Sequence, residues 1–189
     1  MCHALLSNPK FFLFLCRIDE EFAEQVREGG CPECQENLHR ANYDRKPRAA
    51  GSILPILPGK RLSFCCGTCR KRATPPSVLF LGRRVFLGVV MLMGSCRHAG
   101  KIPSASQAAL GNPSRQTLAR WRSWWREIFT QMPTWLALRG HLDRPIASEM
   151  LPQALIERMT GVSDEERFVI LLRRLSPLST RLMIEICAA

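Results

Sequence analysis

Two Cys-x-x-Cys pairs, Cys31-Pro32-Glu33-Cys34 and Cys66-Gly67-Thr68-Cys69, carry the clearest chemistry in the chain. Two intervening residues let both sulfurs of a tight turn face one metal ion, and Pro32 and Gly67 suit the sharp bend. Two such turns give a tetrahedral thiolate set for Zn²⁺ with no position left open, the pattern of a structural rather than a catalytic site. Two alternatives remain: Cys65 stands beside Cys66 and spaces to Cys69 as Cys-x-x-x-Cys, and His39 follows the first pair closely enough to replace a thiolate. A disulfide framework is disfavoured, because nine cysteines is an odd number and no secretory signal opens the sequence. A reducing, cytoplasmic setting is expected, with Cys2, Cys16, Cys96 and Cys187 as ordinary thiols.

The second chemical signal is charge. The 189 residues carry a net charge of +11, and its distribution says more than its size. Both ends are mildly acidic, whereas from Arg40 to Arg126 the lone acid is Asp44. A contiguous basic block of this kind is the footprint of a polyanion partner. Within it, Arg45, Lys46 and Arg48 form a proline-interrupted arm, Arg70, Lys71 and Arg72 directly follow the last thiolate, and Arg83 and Arg84 form a further pair. These are the expected phosphate contacts.

Elements to position these groups can be read from periodicity. Ser7-Asn8-Pro9 opens a helix whose apolar residues Phe11, Phe12, Leu15, Ile18, Phe22 and Val26 recur at helical spacing until Gly29-Gly30. That face is expected to pack on the core, with homodimerisation as the alternative. Leu38–Tyr43 and Lys60–Phe64 read as short strands carrying the two knuckles of a small β zinc ribbon. Val85–Met93 is an apolar run suited to a buried helix, with a strand as the alternative given its β-branched content, and it is too short to span a bilayer, so no membrane association is expected.

Ser104–Leu110, the turn Gly111-Asn112-Pro113 and Ser114–Phe129 read as helix, turn and helix. Leu118, Trp121, Trp125 and Ile128 form the stripe that holds the second helix down. Arg115, Gln116 and Ala119 are then left facing outward at its N-terminal end, where a helix-turn-helix reads base edges, and Thr117, Arg120 and Arg122 lie where they grip phosphates. The turn is one residue longer than in the common motif, and Gln107 stands where alanine usually packs. Beyond Gln131 the positive charge is lost, and Thr134–Leu142, Leu151–Thr160 and Ser163–Leu175 read as helices, with a further apolar stripe from Leu178 to Ile186.

The fold class expected is therefore mainly α with a small β zinc ribbon, in four parts: an N-terminal amphipathic helix over 1–30, the ribbon with its basic arm over 31–77, a helix-turn-helix over 78–132 and a helical C-terminal region over 133–189. Over roughly residues 1–142 the chain resembles a set of bacterial zinc-ribbon plus helix-turn-helix proteins that are transposase-like and associated with mobile elements. The resemblance is carried by Gly30–Cys34, Arg45–Arg48, Cys66–Arg72, Pro75–Val78, Leu81–Val85 and Thr117–Trp125. It implies double-stranded DNA as partner, and a transposase or recombinase nearby. Catalysis finds little support: metal-dependent nucleases need several convergent carboxylates, and the basic block has one acid. Two readings follow. One is a non-catalytic duplex-DNA-binding accessory or regulatory factor; the other is an assembly subunit whose ribbon and C-terminal helices bind protein or structured RNA.

Overall fold

The computed structural model describes residues 2–45, 47, 56–81, 86–96 and 111–180. It is mainly helical with a small antiparallel β part, as the sequence pattern leads one to expect. A short 3₁₀ turn, Cys2–Ser7, leads into helix α1, Pro9–Glu28. The Asn8 side chain accepts hydrogen bonds from the backbone N–H groups of Lys10 and Phe11, Pro9 fills the first helical position, and Gly30 at φ +72° turns the chain out. The face Phe11, Phe12, Leu15 and Ile18 is completely buried.

The β part comprises β1 (Leu38–Arg40), β2 (Tyr43–Asp44), β3 (Lys60–Arg61), β4 (Phe64–Cys66) and β5 (Arg72–Ala73). Each of the two strands expected from the sequence is broken at the same level. The break lies at Ala41-Asn42 on one strand and Leu62-Ser63 on the other, where the Asn42 side chain accepts from the Ser63 N–H at 3.1 Å. The result is a three-stranded antiparallel sheet in the order β1-β4-β5 and a separate pair β2-β3. Strand β5 was not anticipated: Arg72-Ala73 is too short to show alternation.

Two apolar cores follow. The smaller joins Ala23, Cys31, Leu38, Phe64, Cys66 and Ala73 beneath the ribbon. The larger gathers the first half of α1, Val78–Leu81, α2 (Gly88–Ser95) and the helices after Ser114. Helix α1 thus serves both cores and ties the ribbon to the helical body. Helix α2 is buried on every side, as expected for a helix that is apolar all round. It starts three residues later than the apolar run, after a bridge between Phe80 and Leu87.

Helix α3, Arg115–Ser123, passes into a π-helical stretch, Trp124–Ile128, and a 3₁₀ turn, Phe129–Gln131. This corrects the single helix expected over Ser114–Phe129. The wider π turn moves the apolar stripe on by one residue, so that it runs Leu118, Trp121, Trp125, Phe129 and leaves Ile128 exposed. Helices α4 (Pro133–Arg139), α5 (Gln153–Arg158) and α6 (Asp164–Leu175) complete the body; α5 and α6 lie within stretches read as helical, and α4 starts one residue earlier and ends three earlier than expected. Ser163 caps α6 by accepting from the Glu166 N–H. Of the apolar stripe expected beyond it, the described residues reach only a 3₁₀ turn, Ser176–Ser179.

Candidate metal centre and nucleic-acid face

Cys31, Cys34, Cys66 and Cys69 come together, and their sulfurs all lie within 4.8 Å of one another. Two cross-knuckle pairs, Cys31–Cys69 and Cys34–Cys66, stand 3.5 Å apart. A tetrahedron on metal–sulfur bonds of about 2.3 Å has edges of about 3.8 Å, so the four thiols fit one metal ion with only small adjustments. The two turns are built alike. Cys31 N–H donates to the Glu36 carbonyl and Cys66 N–H to the Lys71 carbonyl, both at 2.9 Å. In each, the residue after the second cysteine, Gln35 or Arg70, stands at φ +61°. A left-handed residue reverses the chain, which is how a tight knuckle returns to its strand.

The turns prepare Cys66 and Cys31 as thiolates, while Cys34 and Cys69 are shifted the other way, Cys34 up to about 12, as the protonated partners of the cluster. Backbone N–H groups of Cys69 and Thr68 point at the Cys66 sulfur and bring its thiol down to about 6. Those of Glu33 and Cys34 lower Cys31 in the same way. Hydrogen bonds to the charged form favour thiolate, the form that ligates metal. Lys71 Nζ meets Glu33 Oε2 at 2.9 Å and links the two knuckles from outside.

The choice between Cys65 and Cys66 is decided by strand alternation. Cys66 faces the cluster, while Cys65 points to the other side of β4 and donates to the Arg70 carbonyl at 3.5 Å. His39, paired with Cys65 across the ladder, is not a member of the cluster either. Its ring lies against Gly67, where an added Cβ would be 3.1 Å from Nε2.

The basic residues beside the cluster divide by what they already hold. Arg72 donates to the Ala41 carbonyl at 2.7 Å and to Ser63 Oγ at 3.0 Å, and its guanidinium stands over the Tyr43 ring. It clamps the sheet. Arg45 lies over the Phe80 ring at 4.6 Å. Arg70 is exposed and has no ion-pair partner among the described residues, so its charge is available to a ligand. Lys46, Arg48, Arg83 and Arg84 lie outside the described residues.

On α3, Arg115, Gln116, Ala119 and Arg120 are exposed, while Thr117 and Arg122 are half-buried. The Thr117 hydroxyl is engaged with Ser114 Oγ at 3.0 Å, and the Thr117 N–H caps onto that same oxygen. Gly111 and Asn112 both have positive φ, +71° and +50°, and form the sharp turn that feeds the helix. Residues 101–110, where the preceding helix is expected, lie outside the described residues. The tryptophans are core: Trp121 and Trp125 are buried, and Trp125 Nε1 donates to buried Ser95 Oγ on α2 at 3.1 Å.

Sequence reading missed a buried polar cluster between ribbon and body. Asp19 on α1 accepts from Ser77 Oγ at 2.5 Å and from Val78 N–H at 2.7 Å. Arg61 on β3, also buried, donates to the Pro75 carbonyl. Asp19 sits on the apolar side of α1 next to Ile18, which was the only available hint. No protein-family model, curated protein or solved structure matches this chain.

Proposed function

We propose that the protein is a zinc-containing, non-catalytic binder of duplex DNA that serves a transposon or recombination system as an accessory or regulatory factor. The observation that carries the reading is the arrangement on α3. Arg115, Gln116 and Ala119 are exposed directly after a sharp turn, opposite a stripe of buried Leu118, Trp121 and Trp125. A helix held in this way presents its first residues to a major groove, where Arg pairs with guanine O6 and N7 and Gln with adenine N6 and N7.

Zinc is the metal that best suits four thiolates in a closed tetrahedral set, because soft sulfur ligands select it. Bound there, it fixes both knuckles and places the free cation of Arg70 against a phosphate. The mobile-element setting rests on the resemblance of the sequence, and a nucleoid-associated cytoplasmic location on the cysteine usage together with DNA binding. The deciding experiment selects duplexes from a random pool and challenges the winners with excess random DNA. A duplex that survives, and is lost on Arg115→Ala, supports the reading. If binding is equally weak to all duplexes, an assembly subunit that binds protein or structured RNA takes its place.

A further inference from the structure

We propose that a cleft in the C-terminal helical region binds a nucleoside monophosphate. The cleft has a volume of about 560 Å³ and lies between the segment after α4, the end of α5 and the outer side of α6. That is within the usual range for a small-ligand site, roughly 300–1,000 Å³. Its polar rim brings together Arg144, Arg158 and Arg174. The concentration is notable because this part of the chain has no excess of positive charge.

Other arginines of the same region are neutralised. Arg167 pairs with Asp164 at 3.6 Å and Arg173 with Glu21 at 3.1 Å. Arg144 and Arg174, by contrast, have no acidic partner among the described residues. Arg158 donates to the backbone carbonyls of Arg144 and Pro145, which holds the rim segment in place. Arg144 and Arg174 line the same cleft, and guanidinium groups bind phosphate through paired N–H donors.

Two further features narrow the ligand. Leu142, Met159 and Ile170 give the cleft an apolar wall, suited to a flat base rather than to a bare ion. Asp143 also lines it, the single carboxylate there. It opposes a compact polyanion and accepts from a sugar hydroxyl or a base amino group. The 5′-phosphorylated end of a nucleic-acid strand offers the same chemistry as a free nucleotide.

Titration calorimetry on the full chain separates these cases, using dAMP, deoxyadenosine, inorganic phosphate, and a short single strand with and without a 5′-phosphate. Saturable dAMP binding is expected, with deoxyadenosine and inorganic phosphate each at least about tenfold weaker. Arg144→Ala combined with Arg174→Ala should weaken dAMP binding at least about tenfold and leave the thermal midpoint unchanged, since neither side chain holds structure. A phosphorylated strand that binds more tightly than dAMP, and loses that advantage in the double variant, assigns the site to strand ends. The proposal is overturned if neither dAMP nor the phosphorylated strand saturates the protein by about 10 mM. Inorganic phosphate binding as well as dAMP, or a double variant that binds like the parent, overturns it too. Duplex binding measured on the same double variant should be unchanged, so this test and that of the DNA reading stand apart.

Discussion

Asp19 and Ser77 meet at 2.5 Å inside the protein, joining the middle of α1 to the segment that leaves the ribbon. The contact sits between the two apolar cores and has a predictable pH signature. Burial raises the Asp19 carboxyl to about 6, against the hydrogen bonds from Ser77 and Val78 and the nearby Arg61 cation. A folded-state value above the unfolded one means that the proton is held more tightly in the folded protein. The stabilisation is therefore full below about pH 4 and is lost as pH rises through about 6. Asp19→Asn should remove this dependence. In urea melts from pH 3.5 to 7.5 the parent should lose stability relative to the variant as pH rises, and parallel curves would refute the assignment. Asp19→Ala should instead cost about 1–3 kcal/mol at every pH, because it strands buried donors.

Removing a ligand should separate Cys66 from its neighbour. Cys66→Ser is expected to abolish stoichiometric zinc and unfold the ribbon, whereas Cys65→Ser should keep one zinc per chain, measured by elemental analysis after dialysis. Equal loss from both variants would contradict the alternation of β4.

The packing of α2 on α3 allows almost no added volume. A Cβ at Gly94 would stand 2.9 Å from Trp121 Cζ3 and 3.2 Å from Leu118 Cδ2. Gly94→Ala should cost about 1–3 kcal/mol in urea unfolding. Gly59→Ala, where nothing lies within 4 Å, should change stability by less than about 0.5 kcal/mol.

Arg70 and Arg72 should behave differently although one residue separates them. Arg70→Ala is expected to weaken binding to every duplex and reduce the salt slope by about one, with an unchanged melting point. Arg72→Ala should lower the melting point, since it releases the Ala41 carbonyl and Ser63 hydroxyl. A melting point that does not move would show the clamp to be idle.

On α3, Arg115→Ala should cost roughly 1–3 kcal/mol on a selected duplex and much less on random DNA. Leu118→Ala should cost roughly 2–5 kcal/mol of stability, the usual effect of deleting a buried leucine. If Arg115→Ala weakens both kinds of duplex equally, this helix does not read sequence.

What could be read from the sequence was what local spacing encodes. The knuckles, the Asn8-Pro9 start of α1 and the Ser163 cap of α6 are each set by residues within one turn of each other. The π stretch was hidden because both Ile128 and Phe129 fit a helical stripe, and only packing against Trp125 and Trp135 selects Phe129. Asp19 and Arg61 were opaque for a different reason. A charged side chain becomes a core residue only through partners far along the chain, here Ser77 and Pro75, and no local pattern announces them.

The sulfur cluster also shapes how the protein can vary. Cys34 and Cys66 are 32 residues apart, yet the ladder between them is already closed where Arg45 N–H donates to the Gly59 carbonyl at 2.8 Å. The two ends of the connection from Arg45 to Gly59 are therefore held together by the fold, and Leu57 near its end is buried in the larger core. Lengthening such a segment costs only about 0.6 kcal/mol for each doubling. Added length between Arg45 and Gly59 is thus the change that the cysteine cluster should feel least, because its geometry is set on the far side of that closed pair.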